Sequence, residues 1–148
     1  MSTMIRTSLL AALGIAAGML AAAPAMAETV KMSATLEAAQ EVPPNDSTGS
    51  GMVDATFDTE SKKLDWTVEY TELSGPATAA HFHGPAGPGE NAPPIVPVSG
   101  DLASPLKGSA TLTDEQAAAL TEGKVYFNLH TAAHPDGEVR GQLEKSAM

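Results

Sequence analysis

From Val30 the chain alternates, with Val30, Met32, Ala34 and Leu36 apolar and Lys31, Ser33, Thr35 and Glu37 polar. In an extended strand successive side chains point to opposite faces, so this alternation predicts a strand with one face buried. The pattern returns at Val53, Ala55 and Phe57 and, after a polar turn from Asp58 to Lys63, at Leu64, Trp66, Val68 and Tyr70, which predicts a hairpin. Further strands are predicted over 78–84, 94–98, 107–112, 125–131 and 138–144, divided by Gly, Pro, Asn and Asp. The total is about eight short strands, an all-β fold: an antiparallel β-sandwich of Greek-key or Ig-like kind, or a barrel, since alternation is the same in both. One short helix interrupts them. Thr113-Asp114-Glu115-Gln116 is a capping box ahead of Ala117, Ala118, Ala119 and Leu120, and Gly123 is the stop.

Composition narrows the classes of function. A hydrophobic fraction of 43% with 18% charged residues describes a packed globule, and 148 residues suit one domain. A formal charge of −10 argues against a nucleic-acid partner. Cysteine is absent, so any chemistry falls to His, carboxylates and hydroxyls. The start of the chain has its own signature: Arg6, an apolar run from Leu9 through Ala23, then Ala25-Met26-Ala27. This is the pattern of a secretory signal peptide over residues 1–27, with cleavage before Glu28 and a domain over 28–148. The expectation is a periplasmic or secreted protein with no membrane span after signal cleavage, because no later apolar run approaches the roughly 20 residues a membrane helix needs.

All four histidines fall in two clusters, His81-Phe82-His83 and His130 with His134. Residues two apart on a strand share a face, so His81 and His83 are placed to offer two imidazoles to one metal ion. In the later strand Val125, Phe127 and Leu129 form the apolar face, leaving Tyr126, Asn128 and His130 opposite; after it, Val139 and Leu143 leave Glu138, Arg140 and Gln142. Neighbouring strands would then share one polar surface. The candidate ligands are His81, His83, His130 and His134, with His134 the weakest because it lies in the turn Ala133-His134-Pro135-Asp136-Gly137. Glu90 or Asp136 would supply an oxygen ligand, and Asn128 or Glu138 would orient a ligating ring. Imidazole suits copper, zinc and iron, and the affinity order favours copper. Arg140 has two readings: it pairs with Glu138 or Glu41 and fastens the last hairpin, or it guides an anion to the metal.

Several of these segments together resemble a CHRD domain, the module named from chordin and found also as a stand-alone exported bacterial protein. The resemblance rests on Glu41-Val42-Pro43-Pro44, on Ala80-His81-Phe82-His83-Gly84-Pro85-Ala86, on Asn128-Leu129-His130-Thr131, on Pro135, and on Gly137-Glu138-Val139-Arg140-Gly141-Gln142-Leu143. It spans about Met32 to Leu143 and implies an all-β domain without implying one biochemical activity. The motifs include His81, His83, His130, Asn128, Glu138 and Arg140 but not His134, so the resemblance implies three histidines more readily than four.

Three functions remain. The first is binding of a metal ion, copper ahead of zinc or iron. The second is a non-catalytic interaction module with an extracytoplasmic protein partner, the histidines then bracing loops. The third is a metal-dependent oxidoreductase such as a superoxide dismutase, by analogy with another exported β-sandwich that carries a His-x-His strand. Hydrolase signatures such as Gly-x-Ser-x-Gly are absent.

Overall fold

A computed structural model of the chain describes residues 18–24 and 26–147. Most of the expected leader, with Arg6 and the larger part of its apolar run, therefore lies outside the described residues. Among the described residues no helix is long and apolar enough to cross a membrane.

The alternating segments are strands: β1 (Thr29–Glu37), β2 (Ser50–Asp58), β3 (Lys63–Thr71), β4 (Ala77–His83), β5 (Pro94–Pro97), β6 (Leu106–Thr111), β7 (Tyr126–Thr131), β8 (Val139–Gln142) and β9 (Glu144–Lys145). A single 3-10 turn, Ala38–Gln40, follows β1, and α1 (Asp114–Thr121) lies between β6 and β7. Pairing is antiparallel throughout, in the order β5-β4-β7-β8-β1-β2-β3-β6, with β9 on β1. This is an all-β fold, a single sheet curled into a nearly closed barrel.

The apolar face of the alternation fills the interior. Leu36, Val53, Phe57, Leu64, Val68, Phe82, Phe127 and Leu129 are buried there. Trp66 on β3 meets Phe82 on β4 edge-on at 4.9 Å, and Phe82 meets Phe127 in the same way at 4.9 Å. Because β3 and β4 are not neighbours in the sheet, these rings span the barrel interior. Each such pair contributes about 0.5–1.5 kcal/mol beyond its area burial. The helix forms as its capping box predicts: Thr113 Oγ1 accepts from Gln116 N and Gln116 Oε1 accepts from Thr113 N. Gln116 Nε2 also donates to Ile95 O at 3.0 Å, which fastens the helix to β5.

One element differs from the sequence reading. The expected strand over 138–144 is two pieces, because the buried Leu143 donates its amide to Val125 O and redirects the chain from β7 to β1. For the site, the register across β4, β7 and β8 matters most. It sets His81 opposite Asn128, His83 opposite Tyr126, and Asn128 opposite Arg140. The outward faces of these strands therefore make one continuous polar surface, covered by the loops at 84–93, 41–49 and 132–138.

Candidate metal centre

His81 and His83 share the outward face of β4, while Ala80 and Phe82 point into the core. His130 comes from β7, where it pairs with Ala79, two residues along from the pair His81 and Asn128 and so on the same face. One ring nitrogen from each of His81, His83 and His130 lies within 4.8 Å of the others. The closest pair, His81 Nδ1 and His130 Nε2, is 3.1 Å apart. Two nitrogens, each about 2.0 Å from a shared tetrahedral ion, stand about 3.3 Å apart, so this spacing is already that of two ligands.

The backbone fixes which nitrogens carry protons. His83 Nδ1 is 2.9 Å from Ala92 O, and His130 Nδ1 is 2.9 Å from Pro135 O. A carbonyl only accepts, so both Nδ1 atoms donate, and in the neutral rings both Nε2 atoms keep a lone pair. His130 Nε2 consequently accepts from His81 Nδ1–H in the metal-free protein. His83 Nε2 is buried and has no hydrogen-bond partner. An imidazole whose far N–H is held by a carbonyl, with its other nitrogen bare, is the usual state of a metal-ligating histidine. The residues present thus fit a transition metal ion.

The electrostatics point the same way. Burial lowers the His81 pKa below its ordinary value, and the neighbouring His130 and His83 lower it further. Burial also lowers the pKa of His83, against the pull of its Ala92 hydrogen bond in the other direction. Both rings are thereby favoured neutral, the form that ligates.

Around these rings stands a buried frame. Tyr126 stacks on His83 with centroids 4.8 Å apart and planes 6° from parallel, and the Arg140 guanidinium sits 4.0 Å from the Tyr126 centroid. Arg140 pairs with Glu41 (Nη2 to Oε2, 3.1 Å) and donates to Glu90 O and Asn91 Oδ1. Of the two carboxylates open to Arg140 in the sequence, Glu41 is the partner. Burial raises the Glu41 pKa, opposed by the Arg140 charge and its hydrogen bond.

Glu138, fully buried, is occupied elsewhere: it accepts from Ser74 N, Ser74 Oγ and Thr131 Oγ1. Burial pushes its pKa up, but these bonds outweigh that and hold it below the ordinary value. Asn128 is 1% exposed and lies between His81 and Arg140 in the register, with Oδ1 unpartnered.

His134 stands apart from the three-histidine group, its Nε2 3.8 Å from Glu138 Oε1 in the turn after β7. Glu90 Oε2 accepts from Gly87 N, and Asp136 is exposed. Sequence reasoning missed the carbonyls of Ala92 and Pro135, because a backbone acceptor leaves no signature in residue type. It also left Tyr126 without a role, although alternation had put it on the face of Asn128 and His130.

A family model for the CHRD domain matches residues 32–143. The chain belongs to the CHRD family. Its matched segment carries β4, β7 and β8, and with them every residue of this polar face. No curated protein and no solved structure matches the chain.

Proposed function

We propose that this CHRD protein holds a transition metal ion, copper before zinc or iron, on His81, His83 and His130, and does so in the periplasm or outside the cell after cleavage before Glu28. The observation that carries the reading is the pair of Nδ1–H···O=C bonds to Ala92 and Pro135, which leave two Nε2 lone pairs, one of them buried and unpartnered. An all-imidazole set without sulfur suits Cu(II) on affinity grounds. Support for export comes from the signal-peptide pattern and from residues Met19, Leu20 and Met26, which are exposed and contribute nothing to the core.

The charge distribution favours holding a cation over turning over an anion. The chain carries a formal −10, and Arg140, the cation beside the site, is 5% exposed with its donors engaged. A negative field concentrates metal cations and repels superoxide. A metal-loaded sample is expected to dismutate superoxide no faster than the free ion.

The test is titration of the metal-free mature chain with Cu(II), beside His81→Ala and His130→Ala. One equivalent bound by the wild type and lost in both variants is the expected result. Equal binding by all three proteins would remove the site, and the histidines would then be braces in an interaction module.

A further inference from the structure

The carbonyls that hold His83 and His130 belong to different loops, Ala92 to the loop between β4 and β5 and Pro135 to the turn between β7 and β8. Neither Ala92 nor Pro135 lies in a strand ladder, and at Ala92 the Tyr126 hydroxyl meets both backbone groups, accepting from the N–H and donating to the carbonyl at 3.1 Å. Both loops also close on one buried ion pair whose carboxylate, Glu41, is distant in sequence from either. Glu41, 4% exposed, receives Nε and Nη2 of Arg140 on its Oε2. The same guanidinium donates to Glu90 O at 3.1 Å and to Asn91 Oδ1 at 2.7 Å, immediately before Ala92. Asn91 Nδ2 in turn donates to Val42 O at 3.1 Å, next to Glu41.

On the other side, Glu41 Oε1 abuts Gly137. A methyl group on Gly137 would come within 2.6 Å of that oxygen and within 2.6 Å of Asn128 Nδ2. Gly137 N donates to His134 O, closing the turn that presents Pro135 O to His130. One loop is therefore hydrogen-bonded to the guanidinium that Glu41 Oε2 holds, and the other turn packs at Gly137 against Glu41 Oε1, which makes no hydrogen bond of its own.

We infer that the Glu41–Arg140 pair is the positioning element of the histidine site, holding both loops so that Ala92 and Pro135 keep His83 and His130 in the Nδ1–H form. This rests on the metal-binding reading for its purpose, but the ring tautomers can be read without metal. Neutral histidine otherwise chooses its tautomer by whatever hydrogen bond is on offer. Removing the carbonyl contacts would free the proton to occupy Nε2 and block ligation, and changes to groups that orient ligating histidines typically lower metal affinity about 10–100-fold.

The experiment compares wild type, Glu41→Gln and Asn91→Ala, with Leu106→Val on distant β6 as a control for general loss of stability. Long-range proton–nitrogen NMR of metal-free protein reads each tautomer, and calorimetry with Cu(II) reads affinity. Wild type is expected to show Nδ1–H at both His83 and His130. Glu41→Gln should mix tautomers at both rings and weaken copper about 10–100-fold. Asn91→Ala, at an exposed site that belongs to the loop of Ala92 and has no hydrogen bond to the turn of Pro135, should perturb His83 and spare His130. Leu106→Val should leave both tautomers intact.

Unchanged tautomers in Glu41→Gln and Asn91→Ala, or equal shifts in Leu106→Val, would overturn the assignment of the pair as a positioning element. Wild-type protein that keeps the Nδ1–H tautomers and binds no copper would instead overturn the metal-binding reading.

Discussion

His83 is the most constrained ligand candidate: it is 8% exposed, stacked on Tyr126, and bound through Nδ1 to Ala92 O. Replacement by alanine is expected to abolish stoichiometric copper binding, checked by equilibrium dialysis; retention of one equivalent would exclude it from the site. The lowered pKa values of His81 and His83 also fix a sign for acid sensitivity. Below the ordinary value of 6.5 the unfolded chain takes up protons that the folded rings resist. Stability of the metal-free protein is therefore fully present above that value and falls as pH is lowered through it toward the depressed folded values. Glu41, with its pKa raised by burial, acts in the opposite sense, since the fold favours its protonation above the ordinary carboxylate value. Urea denaturation at about pH 7.5, 6.5 and 5.5 checks this. The midpoint should decline over that range, and more gently in His83→Phe.

At the level of elements, the alternation in the sequence exposed β1, β2 and β3 directly, because each has one buried and one open face. It also placed His81, His83 and His130 on outward faces, since Phe82, Phe127 and Leu129 demanded the inward ones. It could not show that β4 pairs β7, because the partners come from chain segments far apart and only packing decides which edges meet. Nor could it divide the final strand, since the redirection at Leu143 depends on Val125 O in another strand. The β8–β1 junction is correspondingly tight. A methyl group on Gly141 would lie 2.2 Å from Thr35 O, and backbone does not yield as a flexible side chain does. Gly141→Ala is expected to cost about 1–3 kcal/mol of unfolding free energy, the range for overpacking. A change within about 0.5 kcal/mol in urea titration, ordinary for an open surface position, would contradict the close approach.

Across the whole molecule, the candidate site is a polar layer on the outside of an apolar barrel, closed over by loops whose backbone carbonyls bond Nδ1 of His83 and His130. The residue types of that layer, the Glu41 alternative for Arg140 and the weaker standing of His134 were visible in the sequence, whereas the carbonyl bonds to His83 and His130 and the stacking of Tyr126 on His83 came only with loop geometry. The acidic surface gives a further expectation: association of Cu(II) should slow as ionic strength rises, because exposed charges further apart than the Debye length, about 8 Å at 0.15 M, are screened. Stopped-flow binding at about 0.01 M and 0.15 M salt measures it, and a rate independent of salt would count against cation steering. The three-imidazole site is open to paramagnetic resonance of the mature, untagged chain carrying one equivalent of Cu(II). The expected result is a single copper species with nitrogen hyperfine structure from about three imidazole nitrogens, since metal–nitrogen bonds of about 2.0 Å allow all three rings to bind at once. A spectrum of oxygen-coordinated or heterogeneous surface copper, unchanged in His81→Ala, would contradict it.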